Sequence, residues 1–109
     1  MMYPIKFKPI YKEKIWGGNN IEKIFKRVVE SDKPIGESWE LCAHNQGTSI
    51  VANGSFAGKT IAALFNAYGE EILGKNHKHF KDRFPLLIKF IDANDKLSVQ
   101  VHPSDEYAL

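Results

Sequence analysis

Residues 97–101, Leu97-Ser98-Val99-Gln100-Val101, alternate apolar and polar one for one. A period of two belongs to a strand with one face on a core and the other turned away from it. Leu97, Val99 and Val101 make the apolar face, and Ser98, Gln100 and His102 make the other. Pro103 keeps the histidine before it out of the helical region, so the extended run carries through His102. A row of hydroxyl, amide and imidazole does nothing for the folding of a strand. It is what a metal or sugar site needs.

At 109 residues the chain makes at most one domain, and a domain of this size buries only roughly 60–65% of its unfolded surface. The hydrophobic fraction of 43% and the charged fraction of 26% are those of a soluble globular protein and argue against disorder. A net charge of +2, carried by scattered lysines, gives no reason to expect a nucleic-acid partner. The single cysteine, Cys42, excludes an internal disulfide framework and any multi-cysteine zinc site. The longest apolar run, 84–90, is broken by Pro85 and Lys89, so no membrane span is expected. The N-terminus has no long apolar segment of the kind that directs secretion. These readings predict a cytoplasmic domain, mostly β with short helices, of α+β or mostly β class.

The chain punctuates itself. Residues 1–15 read as short edge-type strands or extended chain, with lysines interleaved and prolines at 4 and 9. The glycines of Trp16-Gly17-Gly18-Asn19-Asn20 imply a tight turn or a close backbone approach, with an Asn available to cap the next segment. Ile21, Ile24, Phe25 and Val28 predict an amphipathic helix ending before Asp32-Lys33-Pro34. Residues 35–44 predict a strand with Glu37, Trp39 and Leu41 on one face and Ser38, Glu40 and Cys42 on the other. A second strand over 48–52 leads into the Asn53-Gly54 turn. Thr60 then caps a helix built on Ile61, Leu64, Phe65 and Tyr68, which ends at Gly74. Residues 76–83 read as a polar loop, 86–91 as a nearly continuous apolar strand, and 92–96 as a short polar connection. Ser104-Asp105-Glu106 reads as the start of a further helix.

Several residues could carry chemistry, and each has an ordinary explanation beside the functional one. His102 and Gln100 can aim an imidazole nitrogen and an amide oxygen at one point, as zinc accepts, or His102 is a surface histidine at a strand end. Lys89, alone among apolar neighbours, either reaches solvent with its long stem or points its charge into a pocket at a phosphate or carboxylate. Glu37 beside Trp39 suits a sugar site, where an indole offers a flat face to ring C–H groups, but also a core tryptophan with a flanking carboxylate. Trp16 carries the same ambiguity. Cys42 reads as a small buried residue rather than a nucleophile.

Taken together, these residues resemble a known family. The run Phe84-Pro85-Leu86-Leu87-Ile88-Lys89-Phe90-Ile91-Asp92-Ala93, followed by Leu97-Ser98-Val99-Gln100-Val101-His102-Pro103, is similar to the zinc-binding signature of type I phosphomannose isomerases. Ile15-Trp16-Gly17-Gly18 and Gly36-Glu37-Ser38-Trp39-Glu40-Leu41 match upstream, in order, and the likeness is to the short bacterial branch. The resemblance implies a cupin fold, a jelly-roll-like β-barrel, and one zinc ion. It also implies interconversion of two phosphorylated hexoses, mannose 6-phosphate and fructose 6-phosphate. On the same ground His102 is a zinc ligand with Gln100 as a second, and Lys89, Ser98, Glu37 and Trp16 line the substrate pocket. Lys89 and Ser98 are then the candidates for phosphate or sugar contacts.

The family's other ligands, a glutamate and a second histidine, and its pocket arginine fall past residue 109. The expectation is therefore that residues 1–109 are the N-terminal portion of a cupin-type catalytic domain, truncated, its barrel incomplete, and inactive alone. A non-catalytic cupin relative that binds sugar or acts in regulation would keep the same N-terminal motifs.

Overall fold

Five consecutive buried residues, from Ile35 to Trp39, mark the strand at the centre of the main sheet. The computed structural model describes residues 2–80, 83–99 and 103–104. Its main sheet is antiparallel, with β2 (Ile35–Leu41) between β1 (Ile10–Gly18) and β5 (Ile88–Ile91). A small hairpin pairs β3 (Ala43–His44) with β4 (Gly47–Thr48). The helices are α1 (Asn20–Phe25) and α2 (Ile61–Leu73), the second followed by a 3-10 helix over Gly74–His79. The class is mostly β with short helices, as the sequence predicts, and neither sheet closes on itself among the described residues.

The pairing of β1 with β2 is broken in the middle. Glu13 and Gly18 both pair with Ile35, so residues 14–17 bulge away from the ladder. Gly17 makes this possible, because a Cβ there would lie 2.5 Å from the Gly36 nitrogen and the Ile35 carbonyl carbon. The close approach read from Trp16-Gly17-Gly18 is real, and it presses two backbones together.

α1 is shorter than its apolar spacing suggests. Lys26 turns into the left-handed region at φ 53°, its N–H bonds to the Glu22 carbonyl, and the helix stops at Phe25. Ile24 and Val28 are therefore exposed at 69% and 84% instead of buried. The Asn19 side chain does not cap the helix; the carboxylate of Asp92 accepts the Asn20 N–H at 2.8 Å. α2 follows its signals. Thr60 Oγ1 accepts from the Ala63 N–H at 3.1 Å, Ile61, Leu64 and Phe65 are buried, and Gly74 ends the helix at φ 63°. Tyr68 departs from helical geometry and kinks it. Phe65 meets Phe84 edge to face at 6.4 Å, closing a core cluster with Ile61.

Five expectations are corrected. The strand over 35–44 divides at Cys42, and that over 48–52 is reduced to β4 and the single bridges Ile50 to Thr60 and Phe7 to Val51. The loop over 76–83 begins inside a 3-10 helix, since the turns after Gly74 continue as far as His79. The strand over 86–91 contracts to β5, because β2 ends at Leu41, opposite Ile88, and offers Leu86 and Leu87 no partner. Residues 97–99 lie in no strand, and Leu97 and Val99 are exposed at 48% and 97%. Alternation marks one face as apolar but does not supply a neighbouring strand to pair with. Gln100, Val101 and His102 lie outside the described residues, as do 105–109 of the expected last helix.

Candidate active site

The middle of β2 sets out two polar clusters, one on each face, as its period of two requires. Glu37 and Trp39 share the first face. The Trp39 indole N–H donates to Glu37 Oε1 at 2.9 Å, and both residues are buried. The register of β2 and β5 pairs Trp39 with Lys89, and the Lys89 ammonium reaches diagonally to Glu37 Oε2 at 3.1 Å. Both oxygens of one buried carboxylate are thus held in place. The Lys89 charge faces Glu37.

Burial alone pushes the Glu37 carboxyl up, but the indole and ammonium donors outweigh it, with the charges of Lys89 and Lys14 behind them. The net result is a group held below the ordinary carboxylate value. Trp39 is fixed in turn by His44, edge to face at 5.6 Å, and by the Lys12 ammonium 4.4 Å above its ring. Glu37 therefore acts as an oriented acceptor, ionised at neutral pH.

The second face carries Ser38 and Glu40, which meet Arg27 from the segment after α1. The guanidinium donates to both Glu40 oxygens and, at 3.0 Å, to Ser38 Oγ, which itself donates to Glu40 Oε2 at 2.7 Å. Burial raises the Glu40 carboxyl, while the bonds from Arg27 and Ser38 lower it further than burial lifts it. This fork clamps the segment after α1 to the sheet.

Trp16 is buried in the bulge of β1. Its ring lies over Gly36, where a Cβ would come within 2.7 Å of Trp16 Cζ3, so the indole sits beside the residue that precedes Glu37. Trp16 lies over Gly36 of β2, and one residue further along Glu37 meets Lys89. Ser98 is not gathered with them. It is exposed on the chain after β5 and shares no hydrogen bond with Lys89 or Glu37 among the described residues. Gln100 and His102 lie outside the described residues, and among those described no three His, Cys, Asp or Glu side chains converge as a metal set would.

Two residues shape this region in ways that sequence spacing does not give. Trp39 was placed on the Glu37 face by spacing, but its part in orienting the carboxylate needs the 2.9 Å bond to be seen. Asp92 read as part of a polar connection, yet it is buried and bonded to Asn20 across 72 positions. No local signal points to it.

Residues 5–109 match the phosphomannose isomerase type I catalytic domain. The chain belongs to that family. It is 44% identical over 110 residues to the probable mannose-6-phosphate isomerase GmuF of Bacillus subtilis, covering 99% of this chain and 33% of that protein. With the mannose-6-phosphate isomerase of Streptococcus mutans it shares 41% over 109 residues, covering 100% of this chain and 33% of the other. A crystal structure of the mannose 6-phosphate isomerase from Bacillus subtilis superposes with a TM-score of 0.86 at 41% identity, over 98% of this chain and 32% of that one. The chain spans about a third of the length of the relatives it matches. No described helix is long and apolar enough to cross a membrane.

Proposed function

We propose that the protein carrying this chain is a zinc-dependent isomerase that interconverts mannose 6-phosphate and fructose 6-phosphate. In this reading the 109 residues are the N-terminal part of a cupin-type catalytic domain. The observation that carries it is the superposition, over 98% of the chain at a TM-score of 0.86, on the mannose 6-phosphate isomerase of Bacillus subtilis. A charged sugar phosphate as substrate fits a cytoplasmic setting.

The chain's own residues supply binding and orientation. Lys89 uses one of its three donors on Glu37 and has others for a phosphate or hydroxyl oxygen. Glu37, ionised and fixed by Trp39, accepts from sugar hydroxyls; its depressed pKa makes it a weak base, so the proton that moves between the two reacting carbons goes to another group. Trp16 offers a flat apolar face to the ring. Ser98 joins the pocket through a contact to phosphate or sugar. Gln100 and His102 are the residues that would hold zinc, by amide oxygen and imidazole nitrogen. They are fewer than a catalytic site needs, and the described residues add no converging set to them. The metal supplies Lewis acidity at the sugar carbonyl when bound.

The test is a coupled assay for fructose 6-phosphate formed from mannose 6-phosphate by the intact protein, before and after chelation. Turnover that chelator abolishes and zinc restores is expected, with no turnover by the 109-residue chain alone. Lys89→Ala is expected to raise KM for the sugar phosphate by roughly tenfold to a hundredfold, since a hydrogen bond to a charged group contributes about 1.5–3 kcal/mol. Tight sugar-phosphate binding without conversion in the presence of zinc would overturn the reaction and leave a non-catalytic sugar-binding relative.

A further inference from the structure

The bulge that carries Trp16 is held from a distance. Asp92 follows β5 directly and is 8% exposed, turned towards the start of α1. Its Oδ2 accepts the Asn20 backbone N–H at 2.8 Å, and its Oδ1 accepts from Asn20 Nδ2 at 3.0 Å. Backbone bonds brace it on both sides. The Asp92 N–H donates to the Gly36 carbonyl at 2.8 Å, and the Asn94 N–H donates to the Trp16 carbonyl at 2.7 Å. Gly18 leaves the room, since a Cβ there would stand 2.8 Å from Asp92 Oδ2 and 3.3 Å from Asn94 Cβ.

Three segments meet around Asp92: its backbone N–H ties the end of β5 to Gly36 of β2, and its carboxylate ties that same point to Asn20 in the turn after Trp16. Capping α1 does not account for the arrangement. That helix has six residues and buries only Ile21, so it has little need of a buried charge anchored 72 positions away. The relative placement of Trp16, Glu37 and Lys89 does need such an anchor, because the β1–β2 ladder that would otherwise set it is interrupted between Glu13 and Gly18.

The geometry points to Asp92 as a positioning residue that latches the Trp16 bulge against the Glu37–Lys89 pair. Asp92 touches no reacting atom; it acts through Asn20 and the backbone of residues 16–20. Its effect on turnover rests on the proposed isomerase function, whereas its effect on the place of Trp16 does not.

The experiment compares the intact wild-type protein with Asp92→Leu and with Asp92→Asn. Leucine has nearly the shape of aspartate but no acceptor for either Asn20 group. Asparagine keeps an oxygen for the Asn20 backbone N–H, and the Asn20 amide can turn over so that its oxygen accepts from the new amide nitrogen. KM and kcat for mannose 6-phosphate are measured well below the unfolding midpoint, together with tryptophan emission. Asp92→Leu is expected to lower kcat/KM about tenfold, with KM itself rising, as displaced binding groups do. Partial unfolding reduces apparent kcat but leaves KM alone. Asp92→Asn is expected to hold KM to within about twofold of the wild type. An unchanged KM in Asp92→Leu, or an Asp92→Asn variant that keeps the wild-type melting temperature but not its KM, overturns the proposal. If the wild-type protein does not turn over, the reaction is at fault, and tryptophan emission decides the latch. A red shift in Asp92→Leu that Asp92→Asn does not show supports it, and unshifted emission overturns it.

Discussion

Glu37 has both carboxylate oxygens engaged and a side chain only 7% exposed, and this decides how the protein responds to acid. Its pKa and that of Glu40 lie below the ordinary value of 4.5 in the folded chain. A lowered folded pKa means that the stabilisation is present above the unfolded value and is lost as pH falls through the folded one. Denaturant unfolding of the intact protein should therefore show a midpoint that is steady from about pH 7 to the ordinary carboxylate range and declines below it. Glu37→Gln should flatten that decline while lowering stability at neutral pH, because Lys89 then faces an uncharged partner. A variant curve parallel to wild type through the acid range would remove Glu37 from this account. The face shared by Glu37 and Trp39 was legible in the sequence because a strand's period of two is a local property. The target of Lys89 was not, since it depends on the register between strands 52 positions apart.

The two helices show where local signals suffice. α2 has its cap in Thr60, its buried stripe in Ile61, Leu64 and Phe65, and its stop in Gly74, all within the element itself. Thr60→Ala should therefore destabilise the intact protein by about 1 kcal/mol, read as a shift of the denaturant midpoint at constant slope. Serine at the same position should recover most of the loss. A midpoint unmoved by alanine would mean that the Ala63 N–H finds another acceptor. α1 has the same kind of apolar spacing but buries little of it. Its course is set by the left-handed turn at Lys26, which swings the chain back to dock Arg27 on Glu40, and by Asp92 at its N-terminus. Periodicity cannot weigh those long-range contacts, so the sequence predicted a longer helix than the one that forms.

At the scale of the whole molecule, the sheet ends in a strand that is open and apolar on its outer side. β5 pairs with β2 alone among the described strands, and Ile88, Phe90 and Ile91 are exposed at 48%, 45% and 52%. Leu86 and Leu87 extend the patch at 54% and 43%. A sheet edge with this character is a template for further pairing, and native proteins cover or charge such edges. In the relatives, about two-thirds of the polypeptide lies outside the part that this chain matches, ample to provide a cover. The family motif was legible because its residues are consecutive; the sheet that completes the site was not, since alternation over 97–101 specifies a face and not its neighbour. The physical consequence can be measured. The 109 residues prepared alone should bind an apolar dye such as ANS and self-associate with rising concentration, and Ile91→Lys, which places a charge on the open strand, should reduce both. The intact protein should show neither. A monomeric, dye-silent preparation of the 109-residue chain would mean that β5 needs no cover.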